Sequence, residues 1–183
     1  MDITNESAKK AQTKRIIAEK FAELLDSKSI KKISVNDICE KALMSRSTFY
    51  LHFSDKYAVL KYWLERDYTL LESAIIGKSI EEYIYCALDH FQSEKTLYIN
   101  AFVVETSEEL IAIFQNTFYN LFYKLLKRKQ DETGQIPEPL SLTASFYAGA
   151  FSSSIFYWLI NEPDTKKEVI AELQKNLMPE WLR

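Results

Sequence analysis

Residues 34–53 read SVNDICEKALMSRSTFYLHF, and residues 54–60 continue SDKYAVL. Ser34 with Asp37 three positions on makes a capping box, and Val35, Ile38, Cys39 and Ala42 recur at helical spacing. A short helix therefore starts at Ser34 and turns one face into a core. Ser45 offers a second N-cap, and Phe49 and Phe53 beyond it stand four apart, so the second segment tucks its aromatic edge beneath the first. Ser54 or Asp55 then caps a longer helix. Two short helices separated by a three-residue break and followed at once by a capped helix are the sequence form of a helix-turn-helix.

At about 100° per residue, the side of the second segment opposite Phe49 and Phe53 is centred on Ser47, Thr48 and Leu51, with Tyr50 and His52 on its flanks. That face is small, polar and nearly uncharged, which suits a major groove. Hydroxyls at Ser47 and Thr48 can meet base edges or phosphates, Leu51 a thymine methyl, and Arg46 a guanine or a phosphate. Tyr50 and His52 are placed for the sugar-phosphate walls. Lys56, in the first turn of the next helix, opposes the macrodipole unless an anion sits in front of it, and a phosphate would resolve that conflict.

The run STFYLHFSDKYAVL resembles the recognition helix and following helix start of the TetR/AcrR family of bacterial transcription regulators, in which T-[FL]-Y-x-H-F-x-x-K-x-x-L recurs. Thr48, Phe49, Tyr50, His52, Phe53, Lys56 and Leu60 match it. Upstream, RIIAEKFAELLDSKSIKKISVNDICEKA is similar to the family's first two helices, so the likeness covers about a third of the chain, residues 10–65. The resemblance implies that Thr48, Tyr50 and Lys56 hold phosphates while Arg46, Ser47 and Leu51 read bases. With Ser34 and Ser45 at the two helix starts and His52 on the flank, these residues form the expected DNA-binding set. Two positions depart from the family pattern: Ser29-Ile30 replaces Gly-aromatic, and Leu43 replaces the glycine of the turn. A left-handed Leu43 would cost roughly 1 kcal/mol or more, so either the turn differs or packing of that leucine offsets the strain.

Composition at first opposes DNA, since 23 basic against 26 acidic residues leave a net charge of −3. The distribution reverses this. Residues 1–66 carry 13 Lys or Arg and 9 Asp or Glu, a net of +4, whereas residues 67–183 carry 10 and 17, a net of −7. A basic end on an acidic body is the footprint of a molecule that approaches nucleic acid with one part only. Lys14, near the entry to the first helix, is a further phosphate candidate.

Only three Gly and four Pro occur in 183 residues, and no stretch alternates with a period of two, so the expected fold is all-α. Residues 1–54 are expected to form an N-terminal tail and three-helix helix-turn-helix domain, and residues 55–183 a helical effector and dimerisation domain. Two cysteines without metal-ligand spacing and an N-terminus lacking an apolar signal stretch point to a reduced, cytoplasmic protein. No Gly-rich phosphate loop, nucleophile elbow or clustered Cys/His set appears, so no enzyme activity, metal or cofactor is expected.

Leu140–Ile160 is free of charge over a length that could span a membrane, but its serines and threonine argue for a helix buried on most sides of a soluble protein. Ser145, Gly149 and Ser153, four apart, permit close approach of another helix. Asn161-Glu162-Pro163 ends that helix, Asp164 caps another, and Val169, Ile170, Leu173 and Leu177 give the last one an apolar side. Two such C-terminal helices suit a four-helix bundle across a twofold axis, and the family resemblance likewise implies a homodimer on a pseudo-palindromic operator. Ser145, Gly149, Ser153, Phe156 and Leu173 are its expected interface.

Between the ends, Gly77 closes the helix that begins at Asp55, Ser79 and Ser107 open others, and the helix from Ser107 runs to Lys129 before a loop from Asp131 to Pro139. Trp63, Tyr98, Phe102, Phe118 and Phe122 are candidates to line an effector pocket, with plain core packing as the alternative. The stretch LYINAFVVETSEELIAIFQNTFYNLF loosely resembles a subgroup that includes regulators of dihydroxyacetone kinase operons, where the effector can be a protein instead of a small molecule. Repression is the expected direction of control. The competing class is a helical adaptor that engages another protein without specific DNA recognition.

Overall fold

Ile17, Ala18, Phe21 and Leu25 are fully buried along one side of α1 (Ile3–Leu25), as their helical spacing requires. The computed structural model describes residues 3–74, 80–102 and 108–182. After α1 a single 3₁₀ turn (Ile30–Lys32) leads into α2 (Val35–Lys41), α3 (Arg46–Tyr50) and α4 (Lys56–Ala74). Then follow α5 (Ile80–Ser93), α6 (Lys95–Phe102), α7 (Glu108–Thr133), α8 (Leu140–Asn161) and α9 (Lys167–Leu177). No strand occurs among the described residues, and the fold is all-α. None of these helices is long and apolar enough to cross a membrane.

The chain divides into two compact units, one of Met1–Asp67 with Thr96–Ile111, the other of Tyr68–Lys95 with Ala112–Arg183. In the first, Phe49 from α3 and Leu60 and Leu64 from α4 are buried with the α1 stripe. The Asn100 amide donates to the Leu25 carbonyl at 2.7 Å, which supplies a partner for an otherwise open C-terminal carbonyl of α1. In the second unit Trp158 is buried, and its indole N–H donates to the Thr165 carbonyl at 2.8 Å. Gln174 of α9 reaches Ser154 of α8 at 2.9 Å, and Lys167 of α9 pairs with Asp89 of α5.

Three sequence expectations change here. Asp164 does not cap the last helix: α9 starts at Lys167 after Lys166, because the Thr165 amide turns back to Glu162 and its carbonyl takes the Trp158 indole. The helix α7 passes Lys129 and ends at Thr133, carried further by Lys127–Asp131 and Arg128–Glu132 pairs one turn apart. Gly134, with φ +66°, closes it in the left-handed conformation open to glycine. Finally, α8 is buried on one side only. Ala144, Ala148, Phe151 and Ile155 face inward, while Leu142, Phe146 and Tyr157 are exposed by 67, 68 and 61%. The expected signals at Gly77, Ser79 and Ser107 lie outside the described residues.

Candidate nucleic-acid interface

Each short helix of the reader is started by a side chain within three residues of it. The Ser34 hydroxyl accepts from the Asp37 amide at 3.2 Å, and the Asp37 carboxylate accepts from the Ser34 amide at 2.7 Å, a closed capping box. Lys28 donates to the same carboxylate at 2.8 Å. That ammonium, aided by the Ser34 hydroxyl and amide, holds the Asp37 carboxyl well below the usual carboxylate range. At α3 the Ser45 hydroxyl accepts from the Thr48 amide at 3.1 Å and bonds the hydroxyls of Ser47 at 2.7 Å and Thr48 at 2.9 Å. One proton and two lone pairs are then all engaged. Ser45 is thus a saturated cap that also orients the two hydroxyls beside it.

α3 ends at Tyr50, with Leu51 as its C-cap, so the second segment is a helix of five residues followed by a turn at Leu51 and His52. The expected sidedness persists. Phe49 is fully buried and Phe53 nearly so, while Arg46, Ser47, Tyr50 and Leu51 are exposed, Leu51 by 82%. Thr48 and His52 are half-buried. The Arg46 guanidinium lies 5.8 Å from the Tyr50 ring centroid and donates to its hydroxyl at 3.3 Å. It donates also to the Asn36 side-chain oxygen of α2 at 2.7 Å.

Two lysines are placed by contacts the local pattern did not announce. Lys56 donates to the carbonyls of Ile30 at 2.8 Å and Ile33 at 3.1 Å. Those carbonyls offset, within the protein, its conflict with the dipole of α4, whose cap is Asp55 through a 2.8 Å bond from the Ala58 amide. Lys14 lies over the rings of Phe53 and Tyr62, 5.6 and 5.7 Å from their centroids.

The two departures from the family pattern resolve differently. Ser29 is extended (φ −62°, ψ 152°) and Ile30 is fully buried, so neither a glycine nor an aromatic is required there. Leu43 does adopt the left-handed conformation, φ +52°, and the residue is 94% exposed, so packing does not offset its strain.

Family models match two segments of the chain. Residues 17–62 match the bacterial regulatory proteins of the tetR family, and residues 78–180 match the C-terminal region of transcriptional regulators of that name. The chain belongs to the TetR family. Among TetR-family relatives it is 29% identical over 117 residues to the HTH-type dhaKLM operon transcriptional activator DhaS of Lactococcus lactis subsp. lactis (strain IL1403). That match covers 62% of this chain and 60% of the relative's length. The fold is that of a TetR transcriptional regulator from Streptococcus agalactiae 2603V, with TM-score 0.68 and 22% identity over 96% of this chain and 98% of that one. It is shared as well with a dihydroxyacetone kinase operon activator DhaS, at TM-score 0.64 and 21% identity over 90 and 93% of the two chains.

The remaining candidate residues fall in different places. Trp63, Tyr98 and Phe102 belong to the first unit, where Tyr98 packs against both rings and its hydroxyl donates to Asp67 at 2.8 Å. Phe118 and Phe122 belong to the second, packed against Phe91 and Phe151 respectively. Phe118 also borders a cleft of about 250 Å³ between α7 and α8, together with Gln115, Tyr119, Ser145 and Gly149. Ser145, Gly149, Ser153 and Leu173 are exposed and Phe156 half-buried, all within the second unit.

Proposed function

We propose that this TetR-family chain is a sequence-specific DNA-binding transcription regulator that acts as a cytoplasmic homodimer on a pseudo-palindromic operator. Control comes from an effector, a small molecule or a protein, acting through residues 55–183. The observation that carries the reading is the sidedness of α3, with Phe49 fully buried and Arg46, Ser47, Tyr50 and the apolar Leu51 presented to solvent. An exposed leucine among hydroxyls and a guanidinium fits a major-groove floor of thymine methyls and base edges. Dimerisation is supported by apolar faces within the second unit: Leu142, Phe146 and Tyr157 along α8, and Val169, Leu173 and Leu177 along α9. No catalytic step belongs to this reading.

Repression is the proposed direction, by a dimer seated over a promoter. A second reading, activation, is favoured by the likeness to a relative named as an activator, and the operon in that name is the first candidate target. A reporter behind the operator separates the two by the sign of its response. Arg46→Ala or Leu51→Ala should relax preference at particular base pairs, by roughly 1–3 kcal/mol. Tyr50→Phe removes a neutral hydroxyl and should weaken binding without changing the salt slope, because no phosphate charge loses its neutralising cation. A helical adaptor predicts no effect of any of the three, and unchanged affinity in all of them would remove the assignment.

A further inference from the structure

We infer that Asn36 is a positioning residue for sequence recognition, holding Arg46 in the orientation from which it reads a base pair. This rests on the proposed DNA-binding function. Asn36 lies on α2, outside the exposed face of α3, and its side-chain oxygen accepts from Arg46 Nη1 at 2.7 Å, a short bond across ten residues of sequence. From the other side the Tyr50 hydroxyl accepts from Nη2 at 3.3 Å, beneath the same guanidinium. Arg46 is thus bracketed between α2 and the last residue of α3.

The chemistry of the bracket decides what it is for. Both partners are neutral, so the guanidinium is held without having its charge cancelled, although Glu40 borders the same cleft as Asn36 and Arg46. These two bonds engage two of the five guanidinium N–H groups, which leaves enough donors for a bidentate contact with a guanine edge. A long exposed arginine ordinarily loses rotamer entropy when it is fixed. Here part of that ordering precedes DNA, and the direction of the fork is set by a residue that need not touch a base.

The test uses the full-length protein and the duplex it selects. Affinity is measured for that duplex and for substitutions at the base pair where Arg46→Ala loses preference. Asn36→Ala should relax preference at that base pair about five- to tenfold, leaving other positions and the salt slope unchanged. In an Arg46→Ala background, Asn36→Ala should add nothing. Asn36→Asp keeps an acceptor for Arg46 and should retain the preference, even as its charge lowers affinity for every duplex. Loss at a different base pair, or an equal loss when Arg46 is already alanine, would mean that Asn36 contacts DNA itself and would overturn the inference. So would an indifferent Asn36→Ala in a protein that otherwise discriminates. If the wild-type protein selects no duplex, the proposed function fails and this inference falls with it.

Discussion

Leu43 and Lys56 locate the energetics of the reader at single residues. Leu43 carries a left-handed backbone and is 94% exposed, so its steric cost of about 1–2 kcal/mol is offset by no packing of comparable size. Leu43→Gly should raise stability by about 0.5–1 kcal/mol, once the greater freedom of glycine in the unfolded chain is subtracted. Urea unfolding measures this, and a destabilised glycine variant would contradict the left-handed turn. Lys56→Ala takes the ammonium from both carbonyls, leaving Ile30 with the Ile33 amide alone, and should cost about 1–2 kcal/mol in the same assay. A lysine that served only phosphates would leave the unfolding midpoint where it was. The first feature is legible in sequence, because a leucine replaces the glycine of a recognised turn. The second is not, since its acceptors lie 23 and 26 residues upstream and no local pattern names them.

Helix starts are legible where the cap acts within its own first turn, as at Ser34, Ser45 and Asp55. Sequence misleads where a distant group intervenes, as at Asp164, displaced by a turn whose carbonyl the Trp158 indole has taken. The start of α2 gives a pH signature. Lys28, with the Ser34 hydroxyl and amide, depresses the folded Asp37 carboxyl, so its contribution is fully present above the unfolded aspartate value of about 3.9 and is lost as pH falls through the folded value. The stability gap between wild type and Asp37→Asn should therefore be constant near neutrality and shrink below about pH 4. A gap that stays constant on acidification would show that the box and its lysine do not depend on the charged carboxylate. Exposed faces are harder to read than caps. An uncharged run such as Leu140–Ile160 suggests burial on most sides, whereas Phe146 and Tyr157 are turned outward, because composition cannot tell which apolar face a lone protomer leaves uncovered.

For the whole molecule, charge and apolar surface divide the labour: residues 1–66 carry a net +4 and residues 67–183 a net −7. The acidic part bears the outward faces of α8 and α9, which a second copy would cover. Phe146→Glu with Leu173→Glu should shift the protein from dimer to monomer in sedimentation while leaving its helix content intact, and should weaken operator binding. A wild-type monomer, or a variant that still dimerises, would contradict the interface. Sequence-specific reading by that dimer is tested by selection of duplexes from a random pool by the full-length protein at near-physiological salt. A palindromic winner bound about 10³-fold or more tighter than a scrambled duplex is the predicted result; a pool without enrichment, bound equally whatever its sequence, would contradict it.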